Sequence, residues 1–298
     1  MLFGGNPNAG RAIFGYGIWS LDSSLQSITN LVSNTGVVAN NTTGVGTARR
    51  ELAAAGYGVD KGIFGYGNTS GSYVSLTNLV SNTGVVSADV AGVGTARRML
   101  SAAGYGTDKA IFGFGDVAGT GAVSLTNLVS NTGVVSADVT GVGSVRRTRA
   151  AAGYGTDKAI FGYGNGPTSL TNLVSNTGVV SADVTGVGTA RESLAAAGYG
   201  GDKAIFGFGV IPGPNTNVSV TNLVSNTGVV SADVTGVGTG KNSLAAAGYG
   251  GDKAIFGFGF TTSSVAVQQL VSNTGIVSSY ESGTGQSRHA LAATSFGG

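Results

Sequence analysis

The chain has 298 residues, of which 54 are glycine and only 10% are charged, while 41% are hydrophobic. This apolar content is enough for a core, so the composition predicts a folded, turn-rich chain rather than a disordered one. The net charge of +2 offers no strong field for nucleic acid. With no cysteine and a single histidine, His289, disulfides and multi-histidine metal sites are excluded, and no metal or cofactor is expected. No apolar run is long enough for a membrane helix, and residues 1–8 lack the features of a secretory signal.

Two short motifs alternate along the chain and divide it into six repeats of about 45–50 residues. Ile-Phe-Gly-(Tyr/Phe)-Gly begins at Ile13, Ile63, Ile111, Ile160, Ile205 and Ile255. Ser-Asn-Thr-Gly begins at Ser33, Ser81, Ser130, Ser175, Ser225 and Ser272. Each later Ile-Phe-Gly motif follows the preceding Ser-Asn-Thr-Gly by 30 residues, whereas the opposite spacing varies from 15 to 20. A rigid repeated unit with one variable loop produces this pattern.

Each repeat is expected to contain four short strands. In the fifth repeat these are residues 194–200, 203–209, 218–224 and 229–231, with turn residues between them. Four strands in a repeat of this length predict a β-propeller blade. The chain is therefore expected to be one all-β domain, 1–298: a six-bladed β-propeller of four-stranded antiparallel blades. A β-solenoid is the rival interpretation, although its coils usually need far fewer residues.

The two ends of the chain are expected to complete one blade together. The alanine-rich strand of each repeat should lie innermost, because small residues fit at a crowded central axis. The first repeat lacks a full-length strand of this kind, whereas the C-terminal segment 288–298 supplies a spare one. Pairing residues 291–298 with the first repeat would close the ring and remove its edges. Closure by residues 2–5 is the alternative.

The repeats resemble those of the kelch family. The second repeat contains Ala-Arg-Arg-Glu-Leu-Ala-Ala-Ala-Gly (48–56), Lys-Gly-Ile-Phe-Gly-Tyr-Gly (61–67) and Leu-Thr-Asn-Leu-Val-Ser-Asn-Thr-Gly (76–84), and the chain ends with Ser-Arg-His-Ala at 287–290. This resemblance covers all six repeats and implies a propeller, and a regulator-of-chromosome-condensation type propeller is a second, weaker match. The units also resemble propeller repeats in bacteriophage and aquatic-metagenome proteins, which implies a virion or tail component.

The repeated charged residues are expected to be structural. The Asp-Lys pairs are expected to form solvated hairpin turns, and a charged binding ring is the alternative. These pairs are Asp60-Lys61, Asp108-Lys109, Asp157-Lys158, Asp202-Lys203 and Asp252-Lys253. Four further acids are turn residues rather than calcium ligands, because each segment offers only one carboxylate: Asp89, Asp138, Asp183 and Asp233. The arginines before the inner strands should bind backbone carbonyls, and a basic ring for an acidic partner is the alternative. These arginines are Arg49, Arg50, Arg97, Arg98, Arg146, Arg147, Arg149, Arg191 and Arg288, and Lys241 breaks the pattern at the equivalent position of one unit. His289 has no matching triad and is expected to be structural.

Function is expected to reside in the variable loops, which should emerge on one face: 18–27, 68–75, 116–124, 165–169, 210–219 and 260–266. Trp19, Tyr73, Ile211 and Phe260 are the candidate partner-binding residues. Near-identical units offer no asymmetric acid–base set, so the chain is not expected to be an enzyme. The leading interpretation is a virion protein of a phage tail, fibre or head surface. It would contact other virion proteins or a host-surface glycan or protein within a larger assembly. The alternative is a lectin-like propeller that is extracellular or on a cell surface.

Overall fold

The structure is a computed structural model that describes residues 10–166, 168–281 and 283–297. Within these ranges the regular elements are β-strands, and no helix occurs among them. The strands are β1 (Arg11–Gly15), β2 (Thr29–Val32), β3 (Ala53–Tyr57), β4 (Lys61–Gly65), β5 (Thr77–Val80), β6 (Ser101–Tyr105), β7 (Lys109–Gly113), β8 (Asp116–Val117), β9 (Gly121–Ala122), β10 (Thr126–Val129), β11 (Ala150–Tyr154), β12 (Lys158–Gly162), β13 (Thr171–Val174), β14 (Ala195–Tyr199), β15 (Lys203–Gly207), β16 (Val210–Ile211), β17 (Thr216–Asn217), β18 (Thr221–Val224), β19 (Ala245–Tyr249), β20 (Lys253–Gly257), β21 (Gln268–Val271) and β22 (Ala292–Phe296).

These strands form small antiparallel sheets of two or three strands, which confirms the all-β part of the prediction. We number the three-stranded sheets I (β22, β1, β2), II (β3, β4, β5), III (β6, β7, β10), IV (β11, β12, β13), V (β14, β15, β18) and VI (β19, β20, β21). The strand with the Ile-Phe-Gly motif is central in each of them. The two-stranded sheets β8–β9 and β16–β17 lie within two of the variable loops.

The Phe-Gly pair of each central strand packs the sheets against one another. In sheet II, Ile63 and Phe64 are fully buried. Gly65 leaves room for the neighbouring sheet, since a Cβ atom there would lie only 2.6 Å from Cζ of Phe112. The same contact joins each sheet to the next, and Gly257 of sheet VI receives Phe14 of sheet I. Edge-to-face aromatic pairs about 5.1 Å apart follow the same order, each contributing about 0.5–1.5 kcal/mol beyond burial.

The alanine-rich strands pack side by side because their side chains are small. They contact one another in the order β22, β3, β6, β11, β14, β19 and back to β22. In β3, Ala53, Ala55 and Tyr57 are buried, while the side chains that alternate with them are half-buried. Side chains of a β-strand alternate between its two faces, so Ala53, Ala55 and Tyr57 share the face that packs in the core and the half-buried residues share the other face.

The fourth strand expected in each repeat is not a regular strand. In the fifth repeat, where residues 229–231 were predicted, Val230 makes one isolated bridge to Val224, and Val234 makes another to Thr221. The reason is that side chains replace part of the ladder. The Leu223 N–H donates to the Ser231 hydroxyl, and Asn222 Nδ2 donates to the Ser231 carbonyl. Such side-chain bonds compete with regular strand pairing.

The C-terminal strand lies in the first sheet. β22 pairs antiparallel with β1, with Arg11 opposite Phe296 and Gly15 opposite Ala292. It occupies the position that β3, β6, β11, β14 and β19 hold in their own sheets. The alternative segment, residues 2–5, lies outside the described residues.

Candidate functional site

A ring of backbone hydrogen bonds surrounds the point where the alanine-rich strands begin. One residue from each repeat donates its N–H to the carbonyl of the corresponding residue in the preceding repeat, at 2.8–3.0 Å. All six have left-handed backbone conformations, with φ between 50° and 57°, although none is glycine. In ring order they are Glu51, Met99, Thr148, Ser193, Ser243 and Ala290. Because the conformation recurs at residues with five different side chains, the hydrogen-bond ring rather than any one side chain accounts for it.

This ring encloses a pocket of about 220 Å³, which we call the mouth pocket. Its apolar wall comes from Leu52, Leu100, Leu244 and Leu291, which lie one residue after the ring positions. The polar groups differ around the circumference. Thr148, Arg149, Ser193 and Ser243 lie on one side, while Arg50, Glu51 and His289 lie on the other. An apolar wall with a few convergent polar groups is typical of a small-molecule site.

The variable loops begin beside the mouth pocket. For five of the six ring positions, an isolated bridge joins the preceding residue to the start of a loop, as in Arg50 with Asn68 and Arg98 with Asp116. The other such bridges are Glu192 with Val210, Asn242 with Phe260, and His289 with Ile18. At the sixth position, the Asn165 N–H donates to the Arg147 carbonyl at 3.0 Å. Since these residues all precede an alanine-rich strand, the loops that they contact gather at one end of the sheets.

The four residues expected to contact partners are only half-buried and not fully exposed. Trp19 donates its backbone N–H to Ser24 within its own loop, and Ile211 pairs with Thr216. Tyr73 donates its hydroxyl to Asp116 at 3.2 Å. Phe260 packs on the His289 ring at 5.0 Å between centroids. Tyr73 and Phe260 therefore already have partners within the chain.

One exposed residue of the loop end was missed in the sequence. Leu21, in the loop 18–27, is 82% exposed, more than any other large hydrophobic residue among those described. It lies two residues from Trp19. Its neighbours Asp22, Ser23 and Ser24 are typical turn residues, and an apolar residue in such a turn is the signal that could have identified it.

Four buried arginines, Arg49, Arg97, Arg191 and Arg288, donate to backbone carbonyls as expected and also bind partners that sequence reasoning missed. The expectation is wrong for Arg98, Arg146, Arg147 and Arg149, whose guanidinium groups donate to side chains instead. Arg49 is fully buried, and its Nε donates to the Tyr66 carbonyl at 2.8 Å. Its Nη2 donates to Asn78 Oδ1 at 2.6 Å, and Asp89 lies 3.8 Å from Nη1. The guanidinium stacks on Tyr16 of sheet I, 4.4 Å from the ring centroid. Each such arginine thus ties two sheets together.

The four repeated acids are held by protein donors. Asp89 accepts hydrogen bonds from the Thr47 hydroxyl at 2.6 Å and from Asn78 Nδ2 at 2.9 Å. Burial alone would raise the pKa of Asp89, but these hydrogen bonds and the charge of Arg49 outweigh it and hold the pKa below its usual value. Among the described residues, no three His, Cys, Asp or Glu side chains come together as metal ligands would. The Asp-Lys pairs are local turn contacts, as in Asp60 and Lys61 at 3.0 Å.

His289 takes part in a small polar network that sequence spacing did not reveal. Its Nδ1 lies 2.8 Å from the Ser264 hydroxyl, which lies 2.5 Å from the Ser20 hydroxyl. This network links the loops 18–27 and 260–266 to the mouth. Burial first, and then the charge of Arg50, lower the pKa of His289 below its usual value.

The comparisons with known proteins give no family for the chain. No protein-family model matches it, and a search of curated proteins finds no match. In the part of the chain that the structure describes, no helix is long and apolar enough to cross a lipid bilayer.

Proposed function

We propose that sheets I–VI are the blades of a closed six-bladed β-propeller. Three cyclic sets of contacts support this arrangement: the Phe-Gly contacts between sheets, the order of the alanine-rich strands, and the hydrogen-bond ring at the mouth. In each set the last sheet contacts the first. An open solenoid has no such contact between its ends. The pairing of β22 with β1 makes the chain termini the closing point.

On this scaffold, the function that the geometry supports best is non-catalytic binding at the loop end. The observation that carries it is the gathering of all six variable loops around the mouth pocket, above units that otherwise repeat. Loops that vary on a constant scaffold are the usual site of recognition. The half-buried Trp19 and the exposed Leu21 lie together in one of them and supply apolar contact area.

The setting that we propose is a virus particle, with the loop end attached to another virion protein or to a host surface. The resemblance to bacteriophage propeller repeats supports this, together with the low charge and the nearly unchanged copying of the units. The acids near the mouth also suit binding better than catalysis. Glu51 is paired with Arg98 at 3.0 Å, and Asp116 is paired with Arg98 and Arg147.

A lectin-like role is the second candidate, and a repeated groove favours it. Two equivalent grooves of about 590 Å³ lie between neighbouring sheets at the end opposite the loops. One is lined by Tyr57, Lys61, Leu79, Asn131 and Thr132 among others, and the second has the corresponding residues of the next unit. Repeated weak sites gain strength through avidity. A glycan array would show several equivalent weak sites if this second role is correct.

The proposed function is tested first by locating the protein. Mass spectrometry of purified particles from the source should detect it at a constant ratio to the other virion proteins. Its presence only inside cells, with none in particles, would contradict the virion setting.

Attachment through the loop end is tested by substitution. Leu21→Asp should weaken attachment to particles or host cells without lowering the melting temperature, because the side chain is 82% exposed. Ile276→Asp is the matched control, since Ile276 is 70% exposed but lies after the Ser-Asn-Thr-Gly turn, away from the loops. Equal attachment by both variants and the unmodified protein would contradict binding through this loop.

A further inference from the structure

The charged groups around the mouth pocket are not balanced evenly. On the side of sheets II–IV, Arg98 lies 3.0 Å from Glu51 and 3.2 Å from Asp116, and Arg147 lies 2.6 Å from Asp116. These two arginines are therefore neutralised by carboxylates within the chain. Arg149 also lines the pocket on this side, but it is only 5% exposed and its guanidinium stacks on the Phe114 ring at 3.4 Å, so it is less accessible to a ligand than Arg50 is.

Between sheets I and II, Arg50 is not neutralised by a carboxylate in the same way. Arg50 has a single acidic neighbour among the described residues, Glu51 at 3.9 Å, and Glu51 already binds Arg98 more closely. The Arg50 guanidinium makes no side-chain hydrogen bond in the described part of the chain, and it is 35% exposed. His289 lines the same side of the pocket, and among the described residues only its Nδ1 has a hydrogen-bond partner, Ser264.

Arg50 and His289 are held close together by the backbone. The N–H of Glu51 donates to the carbonyl of Ala290 at 2.8 Å. Arg50 directly precedes Glu51 and His289 directly precedes Ala290, so Arg50 and His289 are neighbours across the boundary between sheets I and II. Leu52 and Leu291 follow them and line the adjoining wall. Two nitrogen-bearing groups thus stand beside an apolar wall in a pocket of about 220 Å³.

We propose that the mouth pocket binds a small organic carboxylate, whose oxygens accept hydrogen bonds from Arg50 and His289 while its apolar body lies against Leu52 and Leu291. A planar guanidinium matches a carboxylate with two parallel hydrogen bonds, which are stronger than bonds between neutral groups. Thr148 and Ser193, which lie across the hydrogen-bond ring from Glu51 and Ala290, also line the pocket and favour a ligand with a polar edge there. This site goes beyond the proposed function, because a macromolecule attached through the outer loops does not need to enter the pocket.

Benzoate is a suitable probe, with benzamide as the neutral analogue of the same shape. Saturation-transfer NMR should show saturable binding of benzoate to the intact protein, and benzamide should bind about ten-fold or more weakly. Benzamide binding as tightly as benzoate, or no benzoate binding at tens of millimolar, would overturn the proposal.

Substitutions then assign the groups. Arg50→Gln should weaken benzoate binding by about ten- to hundred-fold. Lys203→Gln should leave it unchanged, because Lys203 begins β15 at the opposite end of sheet V and is similarly exposed. Wild-type affinity in Arg50→Gln, with an unchanged melting temperature, would overturn the assignment. If that variant fails to fold, the benzamide comparison and the pH experiment below decide instead.

The pH dependence supplies an independent readout of His289. Its charged neighbour is Arg50, with Glu51 beyond it, and the loop residues packed on it are the neutral Phe260 and Ser264. Protonation adds a positive charge and a donor, so benzoate should bind more tightly at pH 5 than at pH 8. His289→Gln should remove this difference. A pH dependence that persists in His289→Gln would show that another group binds the carboxylate, which contradicts the proposed pair.

Discussion

Arg149 is the residue whose replacement should stabilise the protein. It stands where the other five units have leucine, namely Leu52, Leu100, Leu194, Leu244 and Leu291. Its side chain is only 5% exposed, and its Nε and Nη1 have no hydrogen-bond partner among the described residues. Burial, and then the charge of Arg146, hold the pKa of Arg149 well below its ordinary value.

The fourth unit therefore contains two buried guanidinium groups in a space that holds one elsewhere. Arg146 and Arg149 both donate to Asn172 Oδ1, and Asp183 is the one carboxylate beside them, 3.1 Å from Arg146. Arg149 stacks on Phe114 at 3.4 Å from the ring centroid, whereas Arg146 lies 5.8 Å away, so Arg149 occupies the stacking position that Arg97 holds on Tyr66.

Arg149→Leu should remove this competition. Replacing buried charged groups by well-packed apolar ones stabilises proteins by about 1–4 kcal/mol. For a chain of 298 residues, with an unfolding entropy of about 2.1 cal/mol/K per residue, this corresponds to a rise in Tm of about 2–6 °C. The backbone at this position accepts a leucine, as the equivalent site of the third unit shows. There the Leu100 Cβ lies 3.0 Å from where a Cβ of Gly115 would be, and in the fourth unit the Arg149 Cγ packs in the same way against Gly164.

Differential scanning calorimetry on the variant and the unmodified chain measures this difference. The matched control is Leu100→Arg, which places the same side chain at the equivalent position of the third unit and should lower the Tm by several degrees. A Tm for Arg149→Leu that is unchanged or lower would refute the reasoning. It would mean that the stacking on Phe114 and the bond to Asn172 outweigh the cost of the unpartnered nitrogens.

Three further predictions concern pH, the chain terminus and metals. Lys241 is fully buried, and burial lowers its pKa to about 7, so the unfolded state binds more protons above that pH. The free energy of unfolding should therefore rise between pH 7.5 and 9.5, by at most about 1.4 kcal/mol per pH unit. Lys241→Met should flatten this slope, measured by urea titration at each pH. Equal slopes in the variant and the unmodified chain would contradict the prediction. Deleting residues 288–298 removes β22 with the fully buried Phe296 and should sharply lower the Tm, whereas unchanged melting would show that β22 is dispensable. EDTA should leave the Tm unmoved, and a drop of many degrees would show that the repeated acids bind a metal after all.

The central elements of each unit could be predicted because their sequences are bounded by glycine and repeat at a fixed spacing. Residues 203–209 were expected as a strand, and the structure has β15 at Lys203–Gly207. Residues 194–200 were expected as the inner strand, and β14 is Ala195–Tyr199. The outer segment could not be predicted, since it depends on the Ser231 and Asn222 side chains bonding to backbone groups instead of a regular ladder.

The mouth pocket could not be predicted for a different reason. Its residues are about 50 positions apart, and left-handed conformations at Glu51 or Met99 leave no mark in the sequence.

The partners of the buried arginines did leave a signal. In the sixth sheet, Lys241, Gln269 and Tyr280 replace arginine, asparagine and aspartate together. Lys241 Nζ lies 5.8 Å from the centroid of the Tyr280 ring, and Gln269 and Tyr280 both pack beside Gly238, so the three form one cluster. Comparing the units position by position would have found that cluster.

The closed ring is tested most directly by a crosslink between the two ends of the chain. Ile13 lies opposite Thr294 in the β1–β22 pair, and residues paired in this way have Cα atoms about 4.5–5.5 Å apart, within reach of a disulfide. The chain has no native cysteine, so Ile13→Cys with Thr294→Cys introduces one possible bond. Mild oxidation of the monomer should form an intramolecular disulfide, seen as a faster-migrating band on a non-reducing gel and as a linked peptide by mass spectrometry. If the folded double variant keeps two free thiols, or crosslinks only between molecules, the termini do not close the ring.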